Sequence, residues 1–204
     1  MKLVDFSPDG DAVGRRLGVV IGQQVHDIGR HAGVTLQDII GDEALMAALR
    51  QYTEAAGEGE APTWGSETVQ TWPLDDVRLF APLSQPPSLR DFYAFEQHVK
   101  TANANRGRPV PQEWYEVPVF YFSNHRAIYH PDDVIPYPTK SEALDYELEV
   151  ACVISKAGRN INVAEAEDYI FGFMIFNDWS ARDIQRQEMR VGLGPAKGKD
   201  FASS

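Results

Sequence analysis

The sequence predicts an α+β protein, with a small N-terminal α+β unit followed by a larger, β-rich unit. Three observations carry this expectation. Short runs that alternate apolar and polar residues cluster within the first 28 positions, and one stretch, Thr35 to Thr53, has helical spacing. The second half contains two long strand-like runs, Asp145 to Ile154 and Tyr169 to Phe176, and the first of them carries several carboxylates.

Taken in order, Lys2-Leu3-Val4-Asp5-Phe6 alternates, a Gly/Asp/Pro turn follows, and Arg16 to Ile21 resumes the pattern. Gln24 to Ile28 comes after a Gly22-Gln23 turn, which gives short strands on tight turns. Leu36, Ile39, Ile40, Ala44, Leu45 and Leu49 then recur near helical spacing, with Thr35-x-x-Asp38 as the N-cap. Residues 54–73 are polar and rich in Gly, Pro and Glu, and read as an excursion or linker. Val77 to Leu83 is one more strand. We divide the chain into a small domain, 1–75, and a second domain, 76–204.

The second domain opens with an expected helix, Leu89 to Asn103, carrying Phe92, Phe95 and Val99 on one side. A basic loop, Arg106-Gly107-Arg108-Pro109, leads to a strand at Val119 to Phe122. Asn162 to Asp168 is acidic and suits one or two helical turns. Ser180 to Met189 has helical spacing, with Ser180-x-x-Asp183 as a capping box.

Composition narrows the function. There are 19 Lys+Arg against 30 Asp+Glu, a net charge of −11, which opposes a nucleic-acid backbone or an anionic membrane as partner. At 43% hydrophobic the chain can build a core. The single cysteine, Cys152, cannot form an intrachain disulfide, and the N-terminal stretch has no apolar segment of secretory type. The longest apolar run is too short to span a bilayer. A soluble cytoplasmic protein is expected.

Asp145 to Ile154 holds the most chemistry. On a strand Glu147 and Glu149 share one face, roughly 7 Å apart at ~3.3 Å per residue. If both faces are covered, two like charges in a poorly solvated place need a cation or a proton. The alternative is the solvent end of an edge strand. Asp178 follows the Tyr169–Phe176 run, either as a carboxylate at a strand's mouth or as a second N-cap. Arg182, Gln185 and Met189 then share a helix face, with Arg182 and Gln185 looking back toward Asp178. Such an all-oxygen set suits Mg²⁺, Mn²⁺ or Ca²⁺. The five histidines, His26, His31, His98, His125 and His130, form no HxH or HExxH pattern, which argues against zinc. Gly194 to Lys199 fails as a phosphate loop because its glycines are one residue too close, and there is no GxSxG elbow.

Asp91-Phe-Tyr93-Ala-Phe-Glu-Gln-His98, Asp145-Tyr-Glu147-Leu-Glu149, Asn177-Asp178-Trp-Ser-Ala-Arg182-Asp-Ile-Gln185 and Gly198-Lys199-Asp200-Phe201 together resemble the signature of the fumarylacetoacetate hydrolase family. The resemblance is strong over residues 80–204, and in outline only over 1–75. It implies a divalent ion, Mg²⁺ or alternatively Mn²⁺ or Ca²⁺, held by Asp91, Glu147, Glu149 and Asp178. His98 is implied as the base that activates water, and Lys199 as a further catalytic group. Tyr93, Tyr121, Arg182 and Gln185 are implied at the substrate, with Arg106 or Arg108 as a carboxylate clamp.

The implied reaction is hydrolysis of a C–C bond in a small-molecule β-diketo acid of fumarylacetoacetate or acylpyruvate type. Oxaloacetate decarboxylation, isomerisation and hydration are alternatives on the same scaffold. The family also implies a homodimer, without nucleic acid or membrane as partner. Family members continue well past the Gly198–Phe201 match, so the resemblance implies a chain truncated at its C-terminus. An inactive, metal-binding fragment is therefore a further alternative.

Overall fold

The computed structural model describes residues 1–32, 34–60 and 63–204; Ala61 and Pro62 of the expected excursion, and the side chain of His31, lie outside them. The fold is α+β. Strands β1 (Lys2–Ser7), β2 (Arg16–Ile21) and β3 (Gln24–Asp27) form an antiparallel meander, as the alternation required. Alternate residues point inward, so Phe6, Leu17, Val19 and Val25 are fully buried. Helices α1 (Gly29–Ala32), α2 (Leu36–Ile39) and α3 (Glu43–Gly57) come next, and Ile28, Leu36, Ile39, Leu49 and Tyr52 complete the core.

The single helix expected over Thr35–Thr53 is broken in two. Gly41 adopts φ +87°, and the Asp42 carboxylate caps the second helix by accepting from the Leu45 N–H at 2.9 Å. The Thr35–Asp38 cap is present, with the Thr35 N–H donating to the Asp38 carboxylate at 2.8 Å. The described residues of the expected excursion, 54–60 and 63–73, carry regular structure. They finish α3, form the small pair β4 (Thr63–Trp64) and β5 (Glu67–Thr68), and supply β6 (Thr71–Pro73), which pairs with β3. Strand β7 (Arg78–Phe80) returns to β1 and completes a five-stranded sheet in the order β6-β3-β2-β1-β7.

Polar contacts join this sheet to the second half of the chain. The Arg15 guanidinium binds buried Asp5 at 2.5 Å and reaches the Ser84 hydroxyl and the Ala81 carbonyl, both at 2.9 Å. The Ala81 N–H donates to His130 Nδ1 at 3.1 Å.

In that second half, the helix expected from Leu89 is divided. Arg90–Phe92 is strand β8 and Glu96–Ala104 is α4. The backbone of β8 is claimed by β9 (Phe120–Phe122), with Asp91 opposite Tyr121, and the Phe92 ring meets Phe120 at 5.1 Å. Of the expected apolar face of the helix only Val99 is buried. Strand β10 (Leu144–Ile154) forms a long antiparallel hairpin with β11 (Ile170–Ala181), which runs five residues past its expected end. The acidic segment before β11 forms a 3-10 helix, Val163–Tyr169. Helix α5 (Arg182–Val191) starts later than expected, because Ser180 belongs to the strand. The Asp183 carboxylate accepts from the Ser141 hydroxyl at 2.7 Å and the Glu142 N–H at 2.8 Å, so the expected capping box does not form.

The faces of the β10–β11 hairpin are unlike. One carries Asp145, Glu147 and Glu149 of β10 opposite Ser180, Asp178 and Phe176 of β11. The other pairs Val150 with Ile175 and Cys152 with Phe173; Leu148 lies beside them, and all five are exposed, Val150 to 75%. At the outer edge of β11, Ser203 bridges to Asp178, and Asn177 and Ser204 exchange backbone hydrogen bonds at 2.6 and 3.2 Å.

Candidate metal centre

Two hairpins converge on the site. Because Asp91 and Tyr121 are directly opposed on β8 and β9, their side chains leave the same face. On the other hairpin Glu147 opposes Asp178, and Glu149 lies two residues along the same face. The result is a group of three carboxylates, Asp91, Glu149 and Asp178, whose nearest oxygens all lie within 4.8 Å of one another. Asp178 is 1% exposed.

Lys199 enters from the 196–200 turn and is buried. Its ammonium bonds the Asp178 carboxylate, the Ser180 hydroxyl at 2.8 Å and Glu147 at 3.2 Å, so all three donors are used. The turn is seated by Gly198, where any Cβ would lie 2.8 Å from the backbone nitrogen of Gln185 on α5. Gly198 also accepts from the Ala181 N–H at 2.7 Å, and the Glu188 carboxylate accepts from the Lys197 and Gly198 N–H groups at 2.7 and 3.1 Å.

The electrostatics follow from burial and like charge. Desolvation, then the neighbouring Asp178 charge, pushes Asp91 up to about 6, against the pull of the Tyr121 hydrogen bond and Lys199. Glu149 is pushed up to about 8 by burial and by the charges of Asp91, Asp178 and Glu147. Burial works the same way on Glu147, but Lys199 and Arg182 outweigh it and hold that carboxyl below its ordinary value. Burial and the Asp178 charge push the Tyr121 phenol upward, so its hydroxyl keeps its proton. Three all-oxygen donors, Asp178 buried and Asp91 and Glu149 partly so, resist sharing negative charge and fit a hard divalent cation such as Mg²⁺, Mn²⁺ or Ca²⁺.

The residues singled out from sequence fall into two groups. Asp91, Tyr121, Glu147, Glu149, Asp178, Arg182, Gln185 and Lys199 form one continuous polar cluster. Within it Glu147 stands outside the three-carboxylate group, held by Arg182 and Lys199. Arg182 turns to β10 rather than to Asp178, bonding Asp145 at 2.9 Å as well as Glu147, and the Gln185 amide oxygen accepts from it at 3.2 Å. Asp178 is neither at a strand's mouth nor an N-cap but inside β11, because the pairing with β10 continues to Ala181.

His98 and Tyr93 form the second group. His98 is exposed on the first turn of α4, its ring edge-on to Tyr93 at 5.6 Å. Tyr93 lines an aromatic recess of about 350 Å³ with Phe92, Trp114, Tyr115 and Val117. Sequence reasoning missed Asp145 and Ser180. Period-two alternation could have found both, since Asp145 precedes Glu147 by two and Ser180 follows Asp178 by two.

Two hairpins thus bring three carboxylates, one of them buried, beside a buried lysine. The family described as fumarylacetoacetate (FAA) hydrolase C-terminal matches residues 88–204, more than half of the sequence, and the chain belongs to this family. Among its curated relatives, the fumarylacetoacetase of Oryza sativa subsp. japonica is 34% identical over 152 residues, covering 65% of this chain and 35% of the rice protein.

The fold is shared with a maleylpyruvate hydrolase from Sphingobium sp. SYK-6, solved with manganese (II) and pyruvate. That likeness has a TM-score of 0.60 at 23% identity, over 89% of this chain and 60% of that one. A 2-hydroxyhepta-2,4-diene-1,7-dioate isomerase from Mycobacterium marinum matches at TM-score 0.59 and 23% identity, over 100% of this chain and 63% of its own. The chain thus spans about a third of the rice relative's length and under two thirds of these structures. No helix among the described residues is long and apolar enough to cross a membrane.

Proposed function

We propose that the chain carries the metal centre of a divalent-cation-dependent hydrolase that cleaves a C–C bond in a β-diketo acid of acylpyruvate or fumarylacetoacetate type. The convergence of Asp91, Glu149 and Asp178 within 4.8 Å is the observation that carries it. These three would hold the ion, with Glu147 beside them, and the bound ion would supply a Lewis acid for the charge that develops on a substrate oxygen. The manganese and pyruvate of the Sphingobium structure support this reading.

The chain's own groups have distinct tasks. Breaking the bond between an acyl carbon and its neighbour leaves an electron pair that must be delocalised onto oxygen. Lys199, buried at the cluster, adds fixed positive potential there without reorganisation. His98 takes a proton from water, which then adds to the acyl carbonyl, and the departing carbon is protonated in turn. The recess lined by Tyr93, Trp114 and Tyr115 offers an apolar wall to the acyl group.

Titrating Mn²⁺ or Mg²⁺ while following thermal unfolding, on this chain and on Asp178→Ala, tests the centre. A metal-dependent rise in the melting midpoint that the variant lacks supports it, and no rise in either removes it. Turnover of an acylpyruvate by the metal-loaded chain tests the reaction. Isomerisation is a second reading, favoured by the fold likeness to the Mycobacterium marinum isomerase. Product analysis separates them, since hydrolysis yields two acids and isomerisation one rearranged product.

A further inference from the structure

We propose that Tyr121 is a positioning residue for the metal centre: its hydroxyl draws Asp91 of one hairpin to Asp178 of the other and so sets the spacing at which the carboxylates receive a cation. The inference rests on the metal-centre reading above and assigns Tyr121 a task different from the substrate contact expected from the family resemblance.

The three carboxylates come from two separate two-stranded sheets, β8–β9 and β10–β11. Their charges repel, so without an opposing tie the hairpins would relax apart at this point. Lys199 cannot be that tie, because its three bonds go to Asp178, Ser180 and Glu147, all on the β10–β11 hairpin. Tyr121 spans the gap. Its hydroxyl lies 2.6 Å from Asp178 Oδ2 and 3.0 Å from Asp91 Oδ2, so one phenolic proton is shared between a carboxylate on each sheet.

The backbone enforces this geometry. Asp91 and Tyr121 are register partners, so the phenol rises beside the very carboxylate it holds and reaches across to the other sheet. A hydroxyl whose proton is divided between two carboxylates has none left to donate to a substrate. Tyr121 and Lys199 both bond Asp178 at the same oxygen, Oδ2.

The test is the Mn²⁺ affinity of the full 204-residue chain, read calorimetrically and by the loss of the free-ion EPR signal, in the wild type and in Tyr121→Phe. The substitution keeps the ring and removes one oxygen. We expect the dissociation constant to rise about 10- to 100-fold, the usual cost of losing a group that orients a metal ligand, with the metal-free melting midpoint retained. Unchanged Mn²⁺ affinity in Tyr121→Phe overturns the tie, and if KM for an acylpyruvate rises at the same time, Tyr121 is a substrate contact instead. A wild-type chain that takes up no Mn²⁺ overturns the metal centre itself, which is a distinguishable result.

Discussion

Asp178 links Tyr121, Lys199 and the other two carboxylates of the site. It is 1% exposed. Asp178→Ala is expected to abolish Mn²⁺ binding and to leave Lys199 buried with one partner fewer, so the metal-free chain also melts earlier; calorimetry and a melting curve check both. Protonation gives a second expectation. Asp91 and Glu149 sit at about 6 and about 8, above the range of an unfolded carboxylate, so the folded chain binds more protons than the unfolded one in that window. That contribution is complete at low pH and is lost as pH rises through about 6 and then about 8. Metal-free chain should therefore lose melting temperature across this interval, and saturating Mn²⁺, which replaces the protons, should remove the loss. His98 is exposed beside Tyr93, in the group apart from the cluster. His98→Ala is expected to spare Mn²⁺ affinity while lowering acylpyruvate turnover by about 10²- to 10⁴-fold. The carboxylates were legible one by one because a charged residue on a strand announces itself. Their partners were not. That Arg182 turns to Asp145 and Glu147 depends on α5 beginning at Arg182, which in turn depends on how far β11 stays paired.

Strands were read correctly where a run of alternation stood between turn residues, as in β1, β2, β3 and β10, while the helical spacing of Thr35–Thr53 hid the break at Gly41. Leu89–Asn103 misled because Phe92, Phe95 and Val99 mimic a helical stripe, whereas the backbone of Arg90–Phe92 is committed to β9, some thirty positions away in sequence. Non-local pairing of this kind leaves no local signature. The same applies to the 196–200 turn, whose position against α5 is visible only as a glycine. Gly198→Ala would set a methyl 2.8 Å from the Gln185 nitrogen and force the turn off α5. We expect it to cost about 1–3 kcal/mol of stability and to weaken Mn²⁺ binding by displacing Lys199 from the cluster, measured by denaturant unfolding and titration.

At the scale of the whole molecule, the contrast between the two faces of the β10–β11 hairpin dominates. Its carboxylate face looks inward while Leu148, Val150, Phe173 and Ile175 face solvent, a contiguous apolar surface of the kind that drives association. The chain is expected to bind an apolar dye such as ANS, and Val150→Lys combined with Ile175→Lys should lower that signal without changing Mn²⁺ affinity. The charged residues of the site and the apolar residues of this surface alternate along the same strands, so neither can be altered in register without the other. Cys152 sits in the middle of the exposed face, opposite Phe173, and it is the single cysteine of the chain. The molecule therefore carries a built-in reporter: the rate at which a maleimide labels one thiol reads, without any further engineering, whether that face is open or occupied.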